Sequence, residues 1–170
     1  MATPRISLVI PAYNEARLLP RLLDSVAIAR QRFADRGGAV EVIVADNVST
    51  DDTAQVAAGR GCIVATVTTR AIAAVRNGGA RVATGQLLAF VDADSRVHPD
   101  TFIAVDEALR SDRVVGGSTG CTLERWSLGL AVTFGMMVPV LWLTGIDTGV
   151  VFCRRADFER LGGYDESYRA

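Results

Sequence analysis

The chain has 170 residues, 49% of them hydrophobic, and a formal net charge of −1 at pH 7. This composition excludes a disordered chain, and the length is sufficient for one folded domain with a real core. The charge argues against a general nucleic-acid-binding protein. Every basic residue is an arginine, so a basic contact to phosphate has to come from Arg.

Short apolar, β-branched runs alternate with segments of helical pattern along the chain. The runs predicted to be strands are 5–10, 40–45, 62–67, 87–91, 114–122 and 149–153. The segments predicted to be helices are 16–35, the segment from 51 onward, 72–83, 99–109 and 156–161. Asn14 is predicted to cap the first helix and Ser49 or Thr50 the second, whereas Gly78 and Gly79 weaken the third. The alternation predicts an α/β fold, a doubly wound and mostly parallel sheet with helices on both faces.

The segment 128–146 has no charged residue and is about as long as a membrane-spanning helix. It contains several glycines and Pro139, and it lies inside a single predicted domain. These features favour a buried helix, or a helix resting on a membrane surface, over a span. A surface contact through 126–146 would place the protein at the inner face of a membrane.

The three cysteines, Cys62, Cys121 and Cys153, show no CxxC spacing. They are therefore predicted to be reduced thiols of a cytoplasmic protein rather than a disulfide framework or a zinc site. The N-terminus shows no signal-peptide pattern, since its apolar run is short enough to be a strand.

Polar residues follow three of the predicted strands. The segment 11–15 follows the first strand, Asp46 and Asn47 follow the second, and Asp92-Ala93-Asp94 follows the fourth. Ligands of such sheets bind beyond the carboxyl ends of the strands, so these groups are predicted to share one site. Two carboxylates one residue apart can bind one hard cation such as Mn²⁺ or Mg²⁺, although an Asp-X-Asp segment also fits a solvated turn.

Other residues at this edge have two interpretations each. Asp46 could accept hydrogen bonds from a base or a ribose, or it could cap a turn. Tyr13 could lie against a base or simply pack. Arg76 could bind phosphate or form a surface ion pair. His98, the only histidine, is interpreted as a structural residue near the site.

The motifs of several other enzyme classes are absent from the sequence. There is no GxGxxG and no GxxxxGK[ST], and the first loop, Pro-Ala-Tyr-Asn-Glu, has no glycine. A dinucleotide oxidoreductase and a P-loop ATPase are therefore disfavoured. A Gly-X-Ser-X-Gly elbow is missing as well, and a single histidine gives no hydrolase triad.

Five segments occur in a recognisable order: VIPAYNE (9–15), VADNVSTDDT (44–53), RNGGA through ATG (76–85), FVDAD (90–94), and CRR with LGGYDE (153–155 and 161–166). This ordered set resembles the family 2 glycosyltransferases with the GT-A fold. The resemblance implies a nucleotide pocket lined by Pro11, Ala12, Tyr13 and Glu15, with Asp46 reading the base and Arg76 holding the nucleotide. It also implies that Asp92, Ala93 and Asp94 belong to the donor-binding residues, that Asp92 meets the ribose or the metal, and that Asp94 is the main ligand of Mn²⁺ or Mg²⁺.

The sequence departs from the family pattern in two places. Val48 stands at a turn where the family often has glycine, which predicts a slightly different backbone. The Glu-Asp pair that supplies the general base of inverting members would fall beyond Ala170, and Asp147 is a weak substitute. The chain is therefore expected to be one truncated GT-A-like domain, with 1–95 as the nucleotide-sugar half and 96–170 as the start of the acceptor half.

The predicted activity is inverting, metal-dependent transfer of a sugar from a UDP- or GDP-linked donor to an acceptor hydroxyl. The acceptor could be a glycan, a lipid-linked molecule or a small molecule. Two alternatives stay open. One is a non-catalytic nucleotide-sugar binding module. The other is a sugar-nucleotidyltransferase, which would normally carry a glycine-rich, basic first loop.

Overall fold

The computed structural model describes residues 3–120, 127, 129, 132–133, 135–136 and 149–167. The strands in these ranges are β1 (Ile6–Ala12), β2 (Val40–Asp46), β3 (Ile63–Thr66), β4 (Leu87–Phe90), β5 (Gly116–Ser118) and β6 (Val151–Arg154). The named helices are α1 (Leu19–Ala34), α2 (Thr53–Gly59), α3 (Ile72–Arg81), α4 (Thr101–Ala108) and α5 (Arg155–Arg160).

The six strands form one sheet in the order β3-β2-β1-β4-β6-β5. The first four pair in parallel, and β6 pairs antiparallel with both β4 and β5. The strand order reverses direction between β1 and β4, which is the switch point where such sheets bind ligands. The prediction of a doubly wound, mostly parallel sheet is confirmed.

Helices cover both faces of the sheet, as predicted. On one face, alternate residues of β1 (Ile6, Leu8 and Ile10) join a core with side chains of α1 and α4, including the fully buried Phe102. On the other face, Val9 and the corresponding residues of β2 and β4 pack against α3, with Phe158 of α5 at the margin. Each strand thus contributes to both layers, as the twofold alternation of strand side chains requires.

The predicted caps of α1 and α2 are wrong. Helix α1 begins at Leu19 with Pro20 in its first turn, and α2 begins at Thr53. Neither helix has a side-chain cap hydrogen bond. Instead, Ser49 Oγ accepts a hydrogen bond from Asn14 N, and Asn14 Oδ1 accepts one from Thr50 N. These polar groups therefore connect the segment after β1 to the segment after β2. Helix α4 likewise begins at Thr101, two residues after the predicted start.

The glycine pair that weakened the prediction of α3 has a packing reason. A Cβ at Gly79 would overlap the side chain of Val9 and lie 3.2 Å from Cβ of Ala45. A Cβ at Gly78 would overlap the side chain of Val67. The glycines therefore let α3 lie directly on the sheet, and this close packing offsets their low helix propensity.

Most of the apolar segment 128–146 lies outside the described residues, as do Cys121 and Asp147. The predictions made for them therefore stay predictions. Within the described residues, no helix combines the length and the apolar character needed to cross a membrane.

Candidate functional site

The loops after β1 and β2 are joined by hydrogen bonds from backbone to side chain. The last residues of the two strands, Ala12 and Asp46, are paired in the sheet. Beyond them, three successive backbone amides of the first loop donate to three polar side chains of the second. The pairs are Asn14 N to Ser49 Oγ (3.0 Å), Glu15 N to Thr53 Oγ1 (2.8 Å) and Ala16 N to Asp51 Oδ2 (3.1 Å). The capping-type residues of 47–53 therefore fix the first loop, and Oδ1 of Asp51 also accepts a hydrogen bond from Thr53 N at the start of α2.

Only one of the two carboxylate oxygens of Asp46 has a hydrogen-bond partner in the described structure. The residue is 5% exposed, and its Oδ2 accepts a hydrogen bond from the backbone N of Ser49 at 3.2 Å. Its Oδ1 is buried and has no hydrogen-bond partner in the described structure. Buried acceptors are nearly always paired, so an orphaned carboxylate oxygen at the carboxyl end of β2, one strand away from the switch point, indicates a place for a ligand donor. The Oδ2 contact agrees with the interpretation of Asp46 as a turn residue, and its contact with a base or a ribose stays a prediction.

Val48 adopts the backbone conformation that glycine would adopt. Its φ is +55°, and Asn14 in the facing loop also has φ +55°. The turn is left-handed at Val48, and whether its backbone differs from that of the family stays a prediction. Asn tolerates this region through its short polar side chain, but a β-branched residue there is strained. Strain of this kind persists where surrounding contacts over-determine the loop.

The carboxylates of Asp92 and Asp94 are exposed, and Ala93 between them is buried. Nη2 of Arg76, on α3, donates to Oδ1 of Asp92 at 2.8 Å. In the described part of the chain, no hydrogen bond or ion pair involves the carboxylate of Asp94. Asp92 is therefore partly neutralised by an arginine, whereas Asp94 keeps its charge available.

Glu15 and Asp94 bring the first loop and the Asp-X-Asp segment together. Partial burial raises the pKa of the Glu15 carboxyl, and the negative charges of Asp94 and Asp51 raise it further. The negative charges of Asp51 and Asp94 therefore act on Glu15, and this accumulation of like charge favours a cation. Among the described residues, however, no group of three or more His, Cys, Asp or Glu side chains is arranged to hold a metal ion.

Tyr13 is 45% exposed, and the guanidinium carbon of Arg70 lies 5.6 Å from the centre of its ring. The loop that carries Arg70 is fixed by Asn47, whose Nδ2 donates to the backbone oxygens of Val67 (2.7 Å) and Thr69 (3.0 Å). The ring is thus accessible at the rim of the site rather than packed in the core. Pro11 and Ala12, by contrast, are buried as the last residues of β1.

A second layer of contacts behind the site was not predicted from the sequence. Nδ2 of Asn77 donates to the backbone oxygen of Tyr164 and to Oε1 of Glu166, and Tyr164 N donates back to Oδ1 of Asn77. The ring of Tyr164 in turn lies beside Arg76, whose Cζ is 5.5 Å from the ring centre. Arg76-Asn77 and the Gly-Gly-Tyr-Asp-Glu segment (162–166) are both recognisable motifs in the sequence, but neither motif indicates that the two are in contact.

The remaining candidates are peripheral. His98 is exposed, and its Nδ1 accepts a hydrogen bond from the backbone N of Asp100 at 3.2 Å, which agrees with a structural role. Oε1 of Glu166 accepts hydrogen bonds from Asn77 and Arg81. Asp165 is exposed, and its carboxylate accepts a hydrogen bond from Ser167 N.

A comparison with models of protein families identifies the family of this chain. Residues 7–148 match the model for "Glycosyl transferase family 2". The chain belongs to this family. It is 32% identical, over 181 aligned residues, to a PGL/p-HBAD biosynthesis glycosyltransferase from Mycobacterium bovis (strain BCG). That alignment covers 99% of this chain and 66% of the relative, so the chain spans slightly less than two thirds of the relative's length.

Solved structures of glycosyltransferases identify the fold as GT-A. The mannosyltransferase PcManGT from Pyrobaculum calidifontis, solved with GDP-Man and Mn²⁺, superposes with a TM-score of 0.72 at 25% identity. The match covers 98% of this chain and 49% of that one. Glucosyl-3-phosphoglycerate synthase from Mycobacterium tuberculosis, solved with Mn²⁺, UDP and glucosyl-3-phosphoglycerate, gives a TM-score of 0.64 at 22% identity, over 90% of this chain and 57% of that one.

Proposed function

We propose that this protein transfers a sugar from a UDP- or GDP-linked donor to an acceptor hydroxyl, with Mn²⁺ or Mg²⁺ bound at Asp94 and inversion at the anomeric carbon. The donor would lie across the ends of β1, β2 and β4. The proposal is supported by the family membership and by the nucleotides present in similar structures. The observation that carries it within this chain is the free oxygen of Asp46.

The nucleoside is proposed to bind at Asp46 and Tyr13. The buried, unpaired Oδ1 of Asp46 is an acceptor without a donor, and the N–H of a nucleobase supplies one. Tyr13 offers an exposed aromatic face on which a base can stack. The adjoining Pro11 and Ala12 carry no charge and close the bottom of this part of the site.

The diphosphate and the metal are proposed to bind at the other end, between Glu15, Asp92 and Asp94. Carboxylate oxygens suit Mn²⁺ and Mg²⁺, and these ions complete their coordination with phosphate oxygens and water when the protein supplies few ligands. A bound divalent cation would stabilise the charge of the departing nucleoside diphosphate. Because Arg76 already pairs with Asp92, the unpaired Asp94 is the better anchor for the ion.

Nucleotide binding tests these assignments. The affinities for UDP and GDP would be measured by calorimetry with and without Mn²⁺, for the wild type and for Asp94→Asn. We expect Mn²⁺ to tighten binding of one nucleotide, and Asp94→Asn to abolish that gain while changing metal-free binding by less than about twofold. Asp24→Asn, which removes an exposed carboxylate from α1, is the control and should behave like the wild type. If neither Mn²⁺ nor Asp94→Asn changes the nucleotide affinity, the assignment of the metal site is wrong.

Turnover separates the enzyme from a binding module. Donor hydrolysis, or transfer to added acceptors, would be followed by release of UDP or GDP, and the anomeric configuration of the product would be read by NMR. A β-linked product from an α-linked donor supports inversion. If the wild-type protein binds the nucleotide but shows no turnover, the non-catalytic binding module is favoured instead.

The acceptor side is proposed to involve a membrane. The apolar composition of 126–146 is that of a segment able to lie on a lipid surface, which would bring a lipid-linked acceptor close to the donor. Flotation with liposomes tests this point. Binding that disappears when apolar residues of this segment are replaced by Ser would support it, and no flotation would count against it.

A further inference from the structure

The Gly-Gly-Tyr-Asp-Glu segment, residues 162–166, is attached to α3 by one buried side chain. Asn77 is 6% exposed and makes three hydrogen bonds to this segment. Its Nδ2 donates to Tyr164 O (2.9 Å) and to Oε1 of Glu166 (2.8 Å), and its Oδ1 accepts from Tyr164 N (2.9 Å). The backbone of Tyr164 is thus held from both its N–H and its carbonyl, which fixes where the side chain begins.

Aromatic contacts then fix the direction of the Tyr164 ring. The ring meets Phe90 edge-on, with centroids 5.3 Å apart and planes at 85°, and it meets Phe158 at 5.5 Å. Phe90 is the last residue of β4, so the Tyr164 ring is anchored to the strand that leads into Asp92. Edge-to-face packing of this kind restricts a ring more than an aliphatic contact of the same area would.

Arg76 lies between this ring and the carboxylate of Asp92. Its Cζ is 5.5 Å from the ring centre, and its Nη2 donates to Oδ1 of Asp92 at 2.8 Å. Its Nε is buried and has no partner in the described structure. The side chain of Asp92 is 59% exposed. An isolated ion pair this exposed holds its partners weakly, so the guanidinium needs a second support to keep a defined position.

We propose that Tyr164 is a positioning residue, whose ring holds Arg76 in the orientation that fixes Asp92 at the metal end of the donor site. The inference rests on the proposed function, since it assumes that the Asp-X-Asp segment binds the metal and the diphosphate. Tyr164 does not touch the donor in this account. It acts through Arg76, and Asn77 acts through Tyr164.

Two properties of the ring can be separated experimentally. Tyr164→Phe keeps the aromatic face and removes only the hydroxyl. Pentafluorophenylalanine at position 164 keeps the shape of Phe but withdraws the negative charge from the ring face that attracts a cation. Tyr164→Leu removes the face altogether. If the ring only fills space, the fluorinated residue should behave like Phe.

The measurement is the factor by which Mn²⁺ tightens nucleotide binding, with metal-free binding as the internal control. We expect Phe to match the wild type, and the fluorinated residue and Leu to reduce this factor by about 5- to 10-fold, the range of a partly desolvated cation–π contact. Metal-free affinity, set by Asp46, should stay within about twofold. Arg81→Gln, which removes an exposed ion pair to the same segment, should change neither quantity.

A double-mutant cycle tests whether Tyr164 acts through Arg76. In an Arg76→Met background, replacing Tyr164 by Leu should have no further effect on the Mn²⁺ factor. An equal loss in both backgrounds, or a fluorinated variant that matches Phe, overturns the inference while leaving the proposed function intact. If Mn²⁺ does not change the nucleotide affinity of the wild type, the proposed metal-dependent function is wrong, and the inference about Tyr164 is wrong with it.

Discussion

The two ends of the parallel strands are built in opposite ways. At the amino end, Glu41 of β2 accepts hydrogen bonds from Ser7 Oγ, from the backbone N and hydroxyl of Thr84, and from Gly85 N. Gly85 N also donates to Ser7 Oγ, and a Cβ at Gly85 would lie 2.6 Å from that oxygen. One carboxylate therefore closes the turn into β4 and ties it to β1 and β2.

At the carboxyl end, the polar groups are left incomplete. Asp46 keeps a buried oxygen without a donor, Arg76 keeps a buried Nε–H without an acceptor, and Val48 is strained. The polar groups described at the amino end of the sheet thus have hydrogen-bond partners, whereas some buried polar atoms at the carboxyl end have none. Unsatisfied groups and strain cost stability and tend to be found at functional sites. The contrast predicts that substitutions at the amino end change stability, and that substitutions at the carboxyl end change binding.

The largest expected effect is on stability, at Glu41. Replacing Glu41 by Ala leaves the amide of Thr84 and the hydroxyls of Ser7 and Thr84 without this acceptor, and leaves Gly85 N with Ser7 Oγ alone. We therefore expect the free energy of unfolding to fall by about 3 kcal/mol. Glu41→Gln keeps an acceptor oxygen but loses the charge, and should cost about 1 kcal/mol. Urea denaturation measures both. Nucleotide affinity of the folded variants should be unchanged, and a tenfold loss there would break the division between the two ends.

Asp46→Asn is the matched change at the carboxyl end. The asparagine can keep its oxygen toward Ser49 N, and its NH₂ group then replaces the free acceptor by a donor. A nucleobase N–H would meet another donor, so nucleotide affinity should fall by about tenfold, whereas the free energy of unfolding should change by less than about 0.5 kcal/mol. Calorimetry and urea denaturation measure the two quantities. A stability loss as large as that of Glu41→Ala would mean that Asp46 serves the fold.

Acid should remove part of the Glu41 contribution. Partial burial alone would raise the pKa of this carboxyl, but the hydrogen bonds from Ser7, Thr84 and Gly85 outweigh it and hold the pKa below its usual value of 4.5. The unfolded chain therefore binds a proton at higher pH than the folded one. The stability difference between wild type and Glu41→Gln should be full above the unfolded pKa and shrink as the pH falls through the folded pKa. Denaturation curves at several pH values below 5 would check this; a constant difference would contradict it.

The layout of the fold could be predicted from the sequence because its signals are local. Apolar runs with β-branched residues mark the strands, and Asp46 and Asp92 directly follow two of these runs. Since parallel strands end at the same edge, their order along the chain was enough to group the candidate residues. Boundaries were less accurate where polar residues resembled caps: Asn14 and Ser49 have the chemistry of caps but bond across two loops.

The contacts behind the site could not be predicted, because they join residues far apart in the chain. Asn77 and Tyr164 are 87 positions apart, and neither sequence context indicates the other. Arg76 forms the ion pair that was one of its two interpretations, but its partner Asp92 could not be named from the sequence, and its contact with the nucleotide stays a prediction. Pairings of this kind depend on how α3 is placed on the sheet, and that placement depends on Gly78 and Gly79 fitting against Val67 and Val9.

The smallest expected effect concerns the strained turn at Val48, in the loop after β2. Val48 has φ +55° and is 46% exposed, so replacing it removes strain and gives up little burial. Val48→Gly should relieve about 1–2 kcal/mol of backbone strain, offset by about 0.5–1 kcal/mol of extra chain entropy in the unfolded state. Val48→Asn keeps a side chain that tolerates this conformation and avoids most of the entropy term. Both variants should therefore raise the free energy of unfolding by about 0.5–1 kcal/mol, with Asn at least as stabilising as Gly. If both destabilise the protein in urea denaturation, the valine side chain makes contacts that outweigh its strain, and the carboxyl end is less strained than its backbone angles indicate.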